Sequence, residues 1–521
     1  MPLNIALINM PFGFHIYPSI QLGTLSTLLK THGCEVKSHY LNLHFAHQLG
    51  LPVYNQLCEK RFLIGEWLFS HPLFGDNEKN QDYMHHFAPH IEDVCRSIDR
   101  PKEFLSDVKT KMVPEFLQWS RDACDWGAFD VIGFSSTFNQ NVASLTLAKW
   151  IKEKYFVNDI NIYSVSHHLS HAEYITHYGN GEDGLVCIAD GSGSYGSEIK
   201  INDIHDLKRN ETNLNDSKET ISIYNFSEGK LKTKFKVFSS YTEIIRLKNH
   251  KPMAFYHSIG HLWELFSQII MGDRNQAGKI MGLIGYGKHQ PENTFLKIDK
   301  DLEPQLKIDS IQNEIDKIKN DLTPTELSYF AEQVQKDTNE YFVKLINNFI
   351  NLQDSIYLSG GVMLNIKLNK KIADNFPNKK IINVGSCEDN GTAIGSALAL
   401  YKKTVNKNTY EQPNDFYGKV YTHDEIEIAL NKNHLEYKKK NYDKMARFIA
   451  EEINNSKIIM LFYGKSEFGP RALGHRSILA NATDANTKKV LDNDIKLREK
   501  YRPYAPIVLE EDVFKYFDIK F

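Results

Sequence analysis

Apolar positions come first as an unbroken run, LNIALINM, and then at helical spacing in PSIQLGTLSTLLKTHG, which predicts a buried strand followed by a helix that stops at Gly33. CEVKSHYLNL reads as a second strand, FDVIGFSST as a third buried one, and NQNVASLTLAKWIKEKY as an amphipathic helix after it. This βαβ alternation implies a doubly wound, Rossmann-like α/β domain. The stretch between, roughly Gln48 to Cys124, is rich in aromatic residues and helical in tendency.

From Ile160 the pattern changes. LVCIADGSGSYG is a strand running into a turn of small residues, and SEIKINDI, TISIYNF and GKLKTKFKVFSS alternate with period two, as antiparallel strands do. His205 to Lys218 reads as a polar loop. Thr323-Pro324 opens a helix whose apolar face carries Leu327, Phe330, Ala331, Val334, Tyr341, Phe342, Leu345 and Ile346. SIYLSGGVMLN and KIINVGSCEDNGTAIGSALALYKK each read as strand, glycine turn, helix. A stretch rich in Asn, Lys, Pro and Thr between Lys402 and Gly418 marks a boundary. IEIALNKN, MARFIAEEIN and KIIMLFYGK then start a further α/β region.

The chemistry concentrates in a few segments. FYGKSEFGPRALGHRSILAN and KLREKYRPYAPIVLEE set arginines among glycines and prolines, poor material for a core. From Gly464 to Arg502 there are nine Lys/Arg against five Asp/Glu, in a chain of net charge −3. Planar guanidinium forks at Arg471, Arg476, Arg498 and Arg502 suit phosphate or carboxylate oxygens, so an anion site is expected there. SHHLSH places His167 and His171 on one helix face, as a shared metal or anion requires, and turns His168 elsewhere. Asp190 and Asp389 end apolar strands, where a lone charge is unfavourable without a cation, and are the natural carboxylate partners. Such mixed nitrogen and oxygen ligands favour Fe or Mn over calcium. Gly191, Gly193, Gly360 and Gly361 follow strands, where backbone N–H groups can approach phosphates, with Asn365 available to ribose or base. AGKIMGL, with Gly278, Lys279 and Gly282, suits either function or close helix packing.

Taken in order, SHHLSHAEY, AGKIMGLIGYGK, LSGGVMLNIKLN, GSCEDNGTAIGSALA and the arginine segments resemble the ATP-dependent O-carbamoyltransferases that act on nodulation factors, cephalosporins and aminoglycosides. The resemblance covers roughly residues 160–518. It implies an actin/sugar-kinase-like domain over 157–404, a linker at 405–417, and a partial threonylcarbamoyl-AMP-synthase-like domain over 418–521. It also implies ATP as a ligand and a divalent metal, iron foremost with Mn or Mg as alternatives, at His171, Asp190 and Asp389. His167 maps onto a substrate or carbamoyl contact. Arg471 and Arg502 map onto the carbamoyl phosphate arginines, with Arg476, Lys496 and Arg498 able to neutralise the remaining charge. The implied reaction joins carbamoyl phosphate and ATP into carbamoyladenylate, and a hydroxyl of a natural product or modified peptide then takes the carbamoyl group.

INMPFG, PSIQLGTL, LNLHFAHQLGL, IGEWLFSHPLFGD and DVIGFSSTFNQNVASLTLA resemble the cobalamin-binding-like domain of radical SAM enzymes that mature peptides, over residues 1–156. CxxxCxxC and DxHxxG are both missing from the chain, so the scaffold is expected without radical chemistry and without cobalamin. Two departures from the carbamoyltransferase pattern stand out. The half-domain that normally precedes SHHLSH is replaced, and the chain stops at YFDIKF ahead of VDGTAR-like and NTSFN-like segments. A complementary chain supplying those segments is therefore an expected partner. Two other readings follow: a catalytically impaired accessory protein for peptide maturation, and a cobalamin-linked radical SAM-related protein.

With 521 residues, two or three domains are expected. Hydrophobic content of 41% and charged content of 24% are those of a soluble globular protein. The absence of a long basic tract argues against nucleic acid, and no apolar run approaches the ~20 residues that span a bilayer. Six scattered cysteines without a CxxC pair read as reduced thiols, and with no signal-peptide pattern at the N-terminus a cytoplasmic location is expected.

Overall fold

The computed structural model describes residues 2–58, 63–75, 82–85, 87–136, 139–155, 165–194, 217–245, 253–287, 294–316, 323–405, 408–410 and 415–517. It divides into two compact units, Met1–Ser164 and Val165–Phe521.

In the first unit, strands β1 (Asn4–Asn9), β2 (Glu35–Tyr40) and β3 (Val131–Ser135) form a parallel sheet in the order β2-β1-β3. Alternate residues of β1 serve opposite faces, as the strand period requires. Ile5 and Leu7 pack with Leu22 of helix α1 (Ile20–Thr31), whereas Ala6 and Ile8 join Phe12, Phe45 and Phe116 on the other side. Ser19 caps α1 by accepting from the Leu22 amide, and Gly33 closes it at φ +80°. Helices fill most of the span from Leu41 to Asp122, and helix α2 (Asn141–Tyr155) follows β3. The expected βαβ alternation is present, with a long helical crossover.

The second unit is built on a six-stranded mixed sheet. Its members are β4 (Gly184–Ala189), β5 (Ser217–Ser227), β6 (Lys230–Ile245), β7 (Met253–Tyr256), β10 (Ser355–Ser359) and β11 (Lys380–Ile382), in the order β11-β10-β4-β5-β6-β7. Strands β11, β10 and β4 run parallel, and β5, β6 and β7 continue as an antiparallel meander. Every residue of β4 is buried, which explains its unbroken apolar run. The β5–β6 hairpin turns at Glu228-Gly229, both at positive φ as a two-residue primed turn demands. The strand expected at 197–204 and nearly all of the loop at 205–218 lie outside the described residues, as does part of the linker at 405–417.

Helix α3 (His167–His177) packs on β4, β5 and β10, α6 (Asn390–Val405) packs on α3, and α4 (Ile259–Met271) packs against α5 (Pro324–Phe349). Thr323 and Glu326 form a reciprocal capping box ahead of Pro324, which fixes the start of α5 where the Thr-Pro pair predicts it. Short strands β8 (Leu296–Ile298) and β9 (Pro304–Leu306) make a side hairpin, and β12 (Ile459–Phe462) pairs with β13 (Arg476–Leu479) near the C-terminus. Within 418–517 only Phe468, Leu491 and Asp492 are buried, and Met460 and Phe462 of β12 are 74% and 62% exposed. This region forms its elements yet contributes little core. Among the described residues no helix is long and apolar enough to cross a membrane.

Candidate functional site

Helix α3 begins beside the sheet, at the carboxyl end of β4. Its N-cap residue, Ser166, makes no side-chain cap. The first amides of the helix turn to distant partners instead: His167 N–H donates to Ser194 Oγ at 3.0 Å and His168 N–H to Glu219 Oε1 at 3.0 Å. Along the helix, α3 lies tightly against α6. A Cβ at Gly395 would fall 1.8 Å from Ser170 O, and one at Gly391 would fall 2.6 Å from the Tyr174 ring. The GTAIG spacing therefore permits a close crossing, which brings Asp389, just ahead of α6, to the two histidines.

His167 Nε2 stands 3.1 Å from Asp190 Oδ2 and 3.4 Å from Asp389 Oδ1; His171 Nε2 stands 3.5 and 3.7 Å from the same oxygens. One ligand atom from each of the four residues lies within 4.8 Å of the others. The second oxygen of Asp190 accepts from the Gly191 amide at 2.7 Å, so the carboxylate is oriented. Ser359, at the end of β10, donates its hydroxyl to Cys387 O and lies 3.2 Å from His171 Nδ1. With its one proton committed, Ser359 Oγ accepts from Nδ1–H, leaving the Nε2 lone pair of His171 facing the cluster. The two Nε2 atoms are 3.3 Å apart, too close for two lone pairs without a proton or cation between them. This donor set fits a divalent cation of borderline character. Burial alone would lower the His167 pKa, but Asp190 and Asp389 outweigh it and carry it up to about 10. Burial likewise opposes charge on Asp190, whereas the Asp389 side chain is 70% exposed, and the two histidines hold both carboxyls below their ordinary range.

Of the residues expected to bind metal, His171, Asp190 and Asp389 are thus brought together. His167, expected as a substrate contact, offers its nitrogen to the same point. His168 turns away as its helical position predicts: its Nδ1 pairs with Ser222 Oγ at 2.8 Å, and burial pushes its pKa down to about 3.

The glycine turns are arranged differently from the expected phosphate cradle. Gly191 N–H is held by Asp190, Gly193 N–H by Glu219 O at 2.7 Å, and Gly360 N–H by Cys387 O at 2.7 Å. Gly360, at φ +98°, lets the turn after β10 approach β4 so closely that a Cβ would lie 2.2 Å from Ala189 O. A Cβ at Gly361 would lie 3.0 Å from Asp190 Oδ1. These glycines therefore make room around Asp190. Asn365 caps the helix Ile366–Asn375 through Lys367 N and Leu368 N, and its amide donates to Gln335 Oε1 at 2.9 Å. Both ends of this side chain are engaged within the fold.

The arginine segment closes on the same side of the unit. A Cβ at Gly469 would meet Gly385 O at 2.9 Å and Ser386 Cβ at 3.0 Å, three residues before Asp389. Glu467 accepts the amides of Leu473, His475 and Arg476 at 2.9 to 3.0 Å, so that one carboxylate folds the GPRALGH loop into a ring. Although burial opposes it, these N–H groups pull the Glu467 pKa down to about 2. Arg471 is exposed on that ring. Arg476 donates to Tyr463 O and Gly464 O and lies over the Phe462 ring, and Arg498 holds Asp492 and Pro503 O against Tyr504. These two guanidinium groups fasten loops. Lys496 is exposed, and Arg502 stands 3.9 Å from Glu499. The AGKIMGL helix supports the Arg502 segment, since a Cβ at Gly282 would lie 3.5 Å from Pro503 and Lys279 pairs with Glu499.

Sequence reasoning missed Ser359, Glu219 and Glu467. Of these, Glu467 carried a signal, as an acid set inside an arginine-rich loop.

Sheet and cluster together define a mixed α/β protein with a candidate divalent-cation centre at its strand ends. Two family models match the chain, the carbamoyltransferase N-terminus over residues 227–398 and the carbamoyltransferase C-terminus over residues 450–521. Over those residues the chain belongs to the carbamoyltransferase family. An uncharacterized protein of Methanocaldococcus jannaschii is 28% identical over 289 residues, 50% of this chain and 46% of that protein. Nodulation protein NolO of Bradyrhizobium diazoefficiens is 34% identical over 166 residues, 31% of this chain and 30% of that protein. The 3'-hydroxymethylcephem-O-carbamoyltransferase of Streptomyces clavuligerus is 29% identical over 162 residues, 31% of this chain and 29% of the enzyme. The chain thus spans less than half the length of each of these relatives.

Proposed function

We propose that the second unit activates a carbamoyl group with ATP and passes it to a hydroxyl. The observation that carries this reading is the packing of the Arg471 loop onto the Gly385–Ser386 turn that leads to Asp389, which sets a guanidinium-bearing loop beside an imidazole–carboxylate cluster. In this scheme water releases phosphate from carbamoyl phosphate, and the carbamate oxygen attacks the α-phosphorus of ATP. Carbamoyladenylate forms and pyrophosphate leaves. An acceptor hydroxyl then attacks the carbamoyl carbon, its proton is lost, and AMP departs. Arg471 and Arg502 hold the donor phosphate and screen the approach of two polyanions. A divalent cation held by His171, Asp190 and Asp389, with His167 as a fourth donor, would supply Lewis acidity next to the reacting groups. Iron suits the donor set best, with Mn or Mg as alternatives.

The name of the Streptomyces clavuligerus relative places a carbamoyl group on a hydroxymethyl oxygen. By analogy, the acceptor here is a hydroxyl of a natural product or modified peptide. The actin/sugar-kinase-like and threonylcarbamoyl-AMP-synthase-like assignments belong to the same reading, as does the cobalamin-binding-like scaffold for residues 1–156. Six free cysteines suit the reducing cytoplasm in which this chemistry is placed. Engagement of Gly191, Gly193, Gly360 and Asn365 within the fold favours a second reading, an accessory protein that does not turn over nucleotide. Exchange of labelled pyrophosphate into ATP decides between them. The first reading expects exchange that depends on carbamoyl phosphate and is lost in Arg471→Ala; absence of exchange supports the second.

A further inference from the structure

Directly behind the start of α3 lies a charge pair that the reaction scheme does not use. Glu219 of β5 is fully buried, and Lys236 of β6 is 2% exposed. Lys236 Nζ donates to Glu219 Oε2 at 2.6 Å, to Ser222 Oγ at 2.9 Å and to Tyr224 OH at 3.0 Å, so that all three of its protons are placed. The other oxygen, Glu219 Oε1, accepts from His168 N–H at 3.0 Å and Ser194 N–H at 3.4 Å. The Glu219 backbone also holds that turn, taking Gly193 N–H at 2.7 Å and giving its own N–H to Ser194 O at 2.9 Å. Gly193 is glycine because a Cβ would lie 2.7 Å from Glu219 Cγ and 2.9 Å from His168 Cδ2.

A buried ion pair is seldom a gain in stability over an apolar pair of the same volume. This one has a distinct placement. Its carboxylate sits at the N-terminal end of the helix that carries His167 and His171, where a negative charge suits both the free amides and the helix dipole. It reaches at the same time the turn that follows Asp190. Three of the four residues in the cluster therefore hang from two backbone segments that one carboxylate joins.

We infer that Glu219 is a positioning residue for the His167–His171–Asp190–Asp389 cluster, tying the first turn of α3 to the 190–194 turn, with Lys236 keeping the carboxylate in place. The inference rests on the proposed cation role of the cluster and goes one layer deeper. Its geometric content stands on Glu219, His168 and Ser194 alone.

The test uses the full chain with Mn2+ as the probe, followed by electron paramagnetic resonance, and amide hydrogen exchange measured in the absence of metal. Glu219→Gln removes the carboxylate that Lys236 faces at 2.6 Å, so the double variant Glu219→Gln/Lys236→Met is made alongside as a neutral replacement of both groups. The expected result is Mn2+ affinity weakened at least about tenfold in whichever variant folds, as for other groups that orient ligands. Exchange in the 167–177 segment should rise while that of 390–405 stays at the parent value. A folded variant with parental Mn2+ affinity and parental exchange at 167–177 overturns the inference. If the parent takes up no Mn2+, the cation reading fails and exchange decides: faster exchange confined to the α3 segment sustains the positioning role, and unchanged exchange ends it.

Discussion

Lys279 Nζ and Glu499 Oε1 stand 2.6 Å apart although 220 residues separate them in the chain. The pair joins the AGKIMGL helix to the segment that carries Arg502, with Tyr286 OH reaching Lys500 O at 3.4 Å beside it. Both side chains keep partial contact with solvent, so the expected coupling is modest. A double-mutant cycle with Lys279→Ala and Glu499→Ala should return about 0.5–1 kcal/mol. Equilibrium denaturation of the four proteins measures it; coupling indistinguishable from zero would detach AGKIMGL from the arginine segment.

Ser359 fixes the tautomer of His171, which makes it a sensitive handle on the cation site. Ser359→Ala should weaken Mn2+ or Fe2+ binding by about 10–100-fold, whereas His171→Ala removes a donor outright and should abolish it. Titration calorimetry on the two variants reads the difference. Equal, parental affinities would mean that the cluster is a hydrogen-bonded group without a cation.

Gly395 sets the distance between α3 and α6. Gly395→Ala would place a methyl group inside the Ser170 carbonyl, forcing the helices apart at a cost of about 1–3 kcal/mol. Since Asp389 precedes α6 and the histidines ride on α3, cation affinity should fall with stability. A variant that loses neither contradicts the close crossing.

Glu467 yields a pH prediction with a definite sign. Its folded pKa, about 2, lies below the ordinary carboxyl value, so its contribution to loop stability is complete above that ordinary value and is lost as pH falls toward 2. Amide exchange of the 467–476 segment should therefore accelerate on acidification in the parent. In Glu467→Gln exchange should already be fast at neutral pH and respond little to acid. A variant that follows the parental profile would show that the three amides do not depend on the carboxylate.

Most elements of both units were legible in the sequence because their apolar periodicity and punctuation agree, as at Thr323-Pro324 and at Gly33. The cluster was legible because His167 and His171 share a helix face and Asp190 ends an apolar strand; Asp389, also expected at a strand end, lies in the turn seven residues past β11, just ahead of α6. What lay hidden has a physical reason. Period-two alternation in the sequence would put Lys232, Lys234 and Lys236 on one face of β6, but the β5–β6 register shifts between Ile223 and Tyr224, so that Lys236 opposes Ser222 while Lys232 opposes Asn225 on the other face. Lys232 and Lys234 are exposed, and Lys236 is buried against Glu219. Nothing local separates these three lysines. The roles of Arg476 and Arg498 were hidden likewise, since a guanidinium fork suits backbone carbonyls as well as phosphate, and only the fold of the loop shows which it meets. Asn365 reads as a free amide until the helix it caps is in place.

The central claim is that the cation cluster and the Arg471 loop form one working site. A crystal structure of the full chain grown with Mn2+, carbamoyl phosphate and a non-hydrolysable ATP analogue tests it most directly. The account predicts Mn2+ among His167, His171, Asp190 and Asp389, with a donor phosphate against Arg471 and Arg502. Ordered ligands bound elsewhere, with both places empty, would contradict it.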